Sequence, residues 1–192
     1  LAFYIAGNTA HQNHWQGWVY PLPMILPAFI ITFFNLRAGI RIIKVQSASK
    51  VAEVGKSAPL FELPDQTGNL VRIADYKDKR YVLLLFVKGD WCPACHMKLR
   101  AYQRDKEKFL EKDVLVMVVG PDPVGVNKEM VSKLGVDYFI LSDEEMLVTN
   151  QYGLPVFKNT SGKGESENYP LPASYLIDKQ GIIRYSSRPE RA

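Results

Sequence analysis

The sequence predicts an α/β domain, a central sheet with helices on both faces, preceded by an apolar helix. Three observations predict it. Two continuous apolar runs of strand length, Tyr81–Val87 and Val114–Val119, have the composition of strands buried on both faces. Segments with apolar residues at helical spacing alternate with such runs, the pattern that crossover connections leave in a chain. Ahead of all of this, residues 18–34 contain no charged side chain.

The bounds agree with one domain plus an apolar extension. At 192 residues and 47% hydrophobic composition the chain is long enough for one domain or two. Its net charge of +4 is mild, and no basic cluster interleaved with aromatics suggests nucleic acid. The two cysteines lie in one motif, so they do not form a disulfide scaffold.

Residues 1–17 are read as an extramembrane segment or the end of a preceding span, and 18–46 as a hydrophobic anchor helix. The contact with the membrane is assigned to residues 18–43. Over Pro23–Ile43 a helix rising about 1.5 Å per residue reaches a hydrocarbon core of about 30 Å if Arg37 and Arg41 snorkel. Trp15, Trp18 and Tyr20 would form its aromatic belt. A signal peptide needs a basic start, and residues 1–17 have no lysine or arginine; a soluble helix packed on the domain is the other alternative. Arg37, Arg41, Lys44, Lys50 and Lys56 follow the apolar run, so the positive-inside rule predicts a cytoplasmic redox domain, with the periplasmic face as the alternative.

Residues 47–56 read as a linker and 57–192 as the domain. Ala58–Asp65, the turn 66–69 and Leu70–Ile73 predict a strand, turn and strand. The polar stretch 74–80 leads into the strand at 81–87. Beyond Val114–Val119, a helix is expected over 126–134, a strand at 138–141, a short helix over 144–152, and a glycine-containing polar loop at 159–168. That loop is read as either a partner-contacting rim or a tolerated surface insertion. The last hairpin is Ala173–Asp178 with Ile182–Ser186, turning at Gly181.

The chemistry centres on Trp91-Cys92-Pro93-Ala94-Cys95-His96, between the first buried strand and a helical pattern carrying Leu99, Tyr102, Phe109 and Leu110. Cys92 is thereby put at a helix start, where unpaired amides and the macrodipole favour an anionic sulfur, and the thiolate is the nucleophile of thiol chemistry. Cys95, one turn on, can resolve a mixed disulfide on Cys92. Pro93 suits the first helical turn because its missing N–H is no loss there. Asp90 and Lys88 flank the turn with opposite effects on a thiolate, and their plainer reading is solvated loop charge. Other readings are inert core cysteines, covalent haem on the Cys92–His96 pattern, and zinc, for which His11, His14 and His96 supply few further ligands. Thiol and disulfide exchange requires no metal and no organic cofactor.

The segment Phe86–Cys95 with Leu99, Arg100 and Gln103 resembles the redoxin branch of the thioredoxin superfamily, grouped with alkyl hydroperoxide reductases and thiol-specific antioxidant proteins. The resemblance covers about Gly55 to Arg188. It implies a thioredoxin-like fold, a central mixed sheet flanked by helices with an N-terminal hairpin. It also implies an oxidoreductase with Cys92 and Cys95 as catalytic residues, supported by Trp91, Pro93 and Pro172, and served by protein thiol or disulfide partners or a thioredoxin-type reductant. Pro170–Asp178 is similar to the family's segment with a cis-proline, which would make Pro172 cis. The family closes its sheet with a further helix, for which no apolar periodicity remains after Ser186, so part of the sheet is expected to stay uncovered.

Departures from the family matter as well. Peroxiredoxins carry a proline and a threonine or serine before the peroxidatic cysteine, where this chain has Leu85 and Gly89. Thioredoxins bury an aspartate where this chain has Phe86. The sequence therefore favours thiol–disulfide exchange, with thiol peroxidase and a non-catalytic redox sensor or binding module as alternatives.

Overall fold

The computed structural model describes residues 52–187. Its strands are β1 (Glu62–Pro64), β2 (Leu70–Arg72), β3 (Tyr81–Phe86), β4 (Val114–Gly120), β5 (Phe139–Ser142), β6 (Val156–Lys158), β7 (Asn168–Pro170), β8 (Ala173–Ile177) and β9 (Ile183–Ser186). Its helices are α1 (Pro93–Arg104), α2 (Lys106–Glu111), α3 (Val124–Leu134) and α4 (Leu147–Gln151), with a 3-10 turn at Ile73–Tyr76. Five strands form one mixed sheet in the order β5-β4-β3-β8-β9. β3, β4 and β5 are parallel, while β8 runs antiparallel to β3 and β9 antiparallel to β8.

The two apolar runs occupy the middle of this sheet because a strand covered on both faces has no polar side to show. In β3 the alternation sends Val82, Leu84 and Phe86 to one face and Leu85 and Val87 to the other, where the cysteines lie. On the first face Phe86, Tyr152 and Tyr175 pack ring against ring, with centroids 5.1–5.9 Å apart. On the second, Leu99 of α1 and Met130 and Leu134 of α3 close over Val116, Val118 and Ile140. The β1–β2 hairpin pairs Leu63 with Val71, both buried against the first face.

Several expectations are revised. The helix expected over 144–152 is only α4, because Asp143, buried beside it, accepts the Val148 and Thr149 amides and sets its start. The loop 159–168 is the tip of an unexpected hairpin, in which Val156 pairs with Pro170 and Lys158 with Asn168. No peptide bond among the described residues is cis, so Pro172 is trans. Before Pro172 the Leu171 amide donates to the Pro155 carbonyl, prolonging the pairing of β6 with β7 one step beyond Pro170. The anchor expected over 18–46 lies outside the described residues; among those described, no helix is long and apolar enough to cross a membrane. The sheet margin at β9 leaves Tyr185 53% exposed.

Candidate active site

β3 delivers the chain to the site, and Val87 continues it by donating its amide to the Val119 carbonyl. Gly89 then turns the backbone with φ of +123°, a conformation open to glycine. Cys92 becomes the N-cap of α1 and Pro93 takes the first turn, so the strand-to-helix geometry expected from the motif is present.

The two sulfurs are unequal. Cys92 Sγ accepts from the Cys95 amide at 3.3 Å and from the Cys95 thiol at 2.7 Å. Burial, and then the hydrogen bond with Cys92, push the Cys95 thiol up to about 12, so Cys95 holds its proton and Cys92 receives hydrogen bonds. Both are free thiols, and they are recessed, at 7% and 6% exposure.

Around the turn, the charges are paired. Asp90 Oδ1 lies 2.8 Å from His96 Nε2 and Asp90 Oδ2 3.5 Å from Lys133 Nζ, so its carboxylate is paired on both oxygens. Lys88 Nζ sits over the Tyr169 ring, 5.2 Å from its centroid. Neither is the loosely solvated loop charge that sequence reading preferred.

Sequence reasoning missed Asp122. It is 1% exposed at the end of β4, where Oδ2 accepts the Asp90 amide and Oδ1 accepts the Ser166 hydroxyl, each at 2.6 Å. Asp122 also fills the space beside Gly89: a Cβ there would stand 2.8 Å from Asp122 Oδ2. A threonine at position 89 would require the Asp122 carboxylate to shift. The signal for Asp122 was available in Gly120-Pro121-Asp122-Pro123, a strand stop that sets a carboxylate at the carboxyl end of the sheet, where sites of open α/β sheets form.

Trp91 lies beneath the hairpin tip. Its ring meets Tyr169 edge-on with centroids 5.3 Å apart, and it packs against the buried cluster that includes both cysteines. Pro172 precedes Ala173, which pairs with Phe86, so it sits at the end of β3 from which the cysteine turn departs. The structure thus gathers Trp91, Cys92, Pro93 and Cys95 at one turn. Among the described residues no group of three or more His, Cys, Asp or Glu side chains is disposed to hold a metal ion.

Comparison with known proteins gives a consistent picture. Residues 54–186 match the model of the AhpC/TSA family. The chain is 30% identical over 132 residues to the peroxiredoxin Bcp of Bacillus subtilis (strain 168), covering 68% of this chain and 82% of that one. It is 27% identical over 132 residues to the thiol-disulfide oxidoreductase ResA of Bacillus thuringiensis (strain Al Hakam), covering 68% and 67%. Among solved structures, the peroxidoxin BcpB of Mycobacterium tuberculosis superposes with a TM-score of 0.63 at 23% identity, covering 71% of this chain and 85% of the other, a likeness of fold.

Proposed function

This chain belongs to the AhpC/TSA family, and on that premise we propose that it is a thiol peroxidase in which Cys92 attacks a hydroperoxide and Cys95 resolves the product. Its relatives support the coarser statement, that it is a thiol-dependent oxidoreductase. The observation that carries the finer one is a polarised but recessed sulfur: Cys92 accepts two hydrogen bonds at a helix start and is 7% exposed, which suits a small oxidant.

In the proposed cycle the Cys92 thiolate attacks the terminal peroxide oxygen. The S–O bond forms, the O–O bond breaks, and the alkoxide leaves with a proton as the alcohol, or as water from hydrogen peroxide. Cys92 is now a sulfenic acid. The Cys95 sulfur attacks Cys92 Sγ, its proton and the sulfenic hydroxyl leave as water, and the pair is a disulfide. Two electrons have passed from two thiols to one peroxide. An external dithiol, such as a thioredoxin-type reductant, restores both thiols.

The test is peroxide consumption by the reduced protein, followed by thiol counting. One peroxide is expected to vanish per Cys92–Cys95 disulfide formed. Cys92→Ser should lose the reaction, and Cys95→Ser should stop at a sulfenic acid that a dimedone-type reagent traps. Unchanged peroxide with fully reduced protein would sink this reading.

One observation favours a second reading, thiol–disulfide exchange. Position 89, from which peroxiredoxins assist the peroxide with a hydroxyl, is a glycine here, and the Asp122 carboxylate occupies the space beside it. Steady turnover of a small model disulfide, with peroxide untouched, would establish exchange instead. The membrane anchor at 18–46 and the cytoplasmic face remain proposals resting on the apolar run and the basic residues after it.

A further inference from the structure

The cysteines occupy the N-terminal end of a helix at the carboxyl end of the central strand, a position that ordinarily opens to solvent, yet both are buried. The hairpin of β6 and β7 packs on Trp91, the residue before Cys92, and Trp91 in turn packs on the cluster that holds both cysteines. Gly164 rests on the Trp91 indole so closely that a Cβ there would stand 2.6 Å from Trp91 Cδ1, at a φ of +75° that itself favours glycine. Tyr169 holds Trp91 edge-on, and Phe157 stacks on Tyr169. Ser166 ties the tip to Asp122, the same carboxylate that fixes the Asp90 amide in the cysteine turn. One buried residue therefore clamps the turn with one oxygen and the tip with the other.

The seated tip is also opposed. Trp91 Nε1 is buried without a hydrogen-bond partner among the protein atoms. An unpaired buried donor favours any arrangement that exposes it, so the seat depends on its few ties.

We infer that Gly164 and Ser166 are specificity-determining residues: seated on Trp91 and Asp122, the tip admits small electrophiles to Cys92 and excludes bulky ones. Applied to the peroxidase reading on which it rests, this makes hydrogen peroxide and short alkyl hydroperoxides the substrates. Bulky aryl or lipid hydroperoxides are rejected until the tip lifts. The contact of Ser166 with Asp122 spans 44 residues of sequence and touches neither sulfur.

The experiment uses the full chain with Ser166→Ala and, separately, Gly164→Val, which drives side-chain bulk into the indole. The rate constants for cumene hydroperoxide and hydrogen peroxide are measured for each variant, and their ratio is expected to rise about tenfold. In parallel, with Cys95→Ser as the background, Cys92 is alkylated by iodoacetamide and by a polyethylene glycol maleimide. The bulky-to-small rate ratio should rise by a similar factor of about ten. An alkylation ratio that stays constant in both variants overturns the inference. If no hydroperoxide is reduced but the alkylation ratio rises, the peroxidase reading fails and the control of access stands.

Discussion

The two faces of the central sheet are built for different work. Behind β3 lies a closed aromatic wall, with Phe86, Tyr152 and Tyr175 at 1% exposure or less. In front lie the two helices, the cysteine turn and the hairpin tip, and at the β9 margin the cover gives out at Tyr185. The back face holds its strands by dense packing, and the front face carries polar and reactive groups whose positions depend on a few directed bonds. A site built this way needs the wall: Phe86 ends the strand from which the cysteine turn departs, and its ring is held between Tyr152 and Tyr175. Rigidity and chemistry are thus segregated to opposite faces of one sheet.

The sharpest way to break that comparison is to remove the wall. Tyr152→Ala deletes a fully buried ring with three aromatic neighbours and a hydroxyl that donates to the Pro59 carbonyl, and should cost about 3–5 kcal/mol in chemical denaturation. The same truncation at Tyr185, on the uncovered margin, should stay within about 0.5 kcal/mol. Equal losses would mean that the two faces are equivalent.

A smaller effect is expected at the front turn. Gly89→Ala forces a side chain into the left-handed region and against Asp122, whose two oxygens are already committed, and should destabilise by about 1–3 kcal/mol. By the same contact, Gly89→Thr should gain no peroxidase activity although it restores the hydroxyl found in peroxiredoxins. A threonine variant with wild-type stability and faster peroxide reduction would disprove the assignment of that space to Asp122.

The finest distinction is in pH dependence. Cys95, raised to about 12 by burial and by Cys92, stays protonated in the folded protein while the unfolded chain ionises near its ordinary value of 9.0. The folded state then holds more protons, so this contribution is complete below about pH 9 and is lost as pH rises towards about 12. Buried tyrosines such as Tyr138 are raised too, by burial first, and slope the same way. The check is therefore a difference: the reduced protein should lose more stability between pH 9 and 11 than Cys95→Ser. Parallel curves would remove the asymmetry between the two sulfurs.

How much of this was legible in the chain follows from the range of the forces involved. The apolar runs of β3 and β4, the glycine turn into β9, and the cysteine turn with proline at its first helical position are local patterns, and each was found where the sequence put it. The hairpin of β6 and β7 left no such trace. Its strands are three residues each, and Val156, Phe157 and Lys158 are all exposed, so no alternation of burial marked them. Pro172 was misread as cis because a motif carries no information about the path that enters it, and here that path comes from the paired strand β7.

By itself, then, the sequence determined the α/β architecture, the strand that presents the site and the pair of sulfurs one helical turn apart, since these rest on periodicity and on the stereochemistry of neighbouring residues. Only the tertiary structure decided that Asp122 stands beside Gly89 and that Ser166 and Gly164 cover Asp122 and Trp91. Those facts arise where segments far apart in the chain compete for the same buried space and the same hydrogen bonds, and no local pattern records the outcome of that competition.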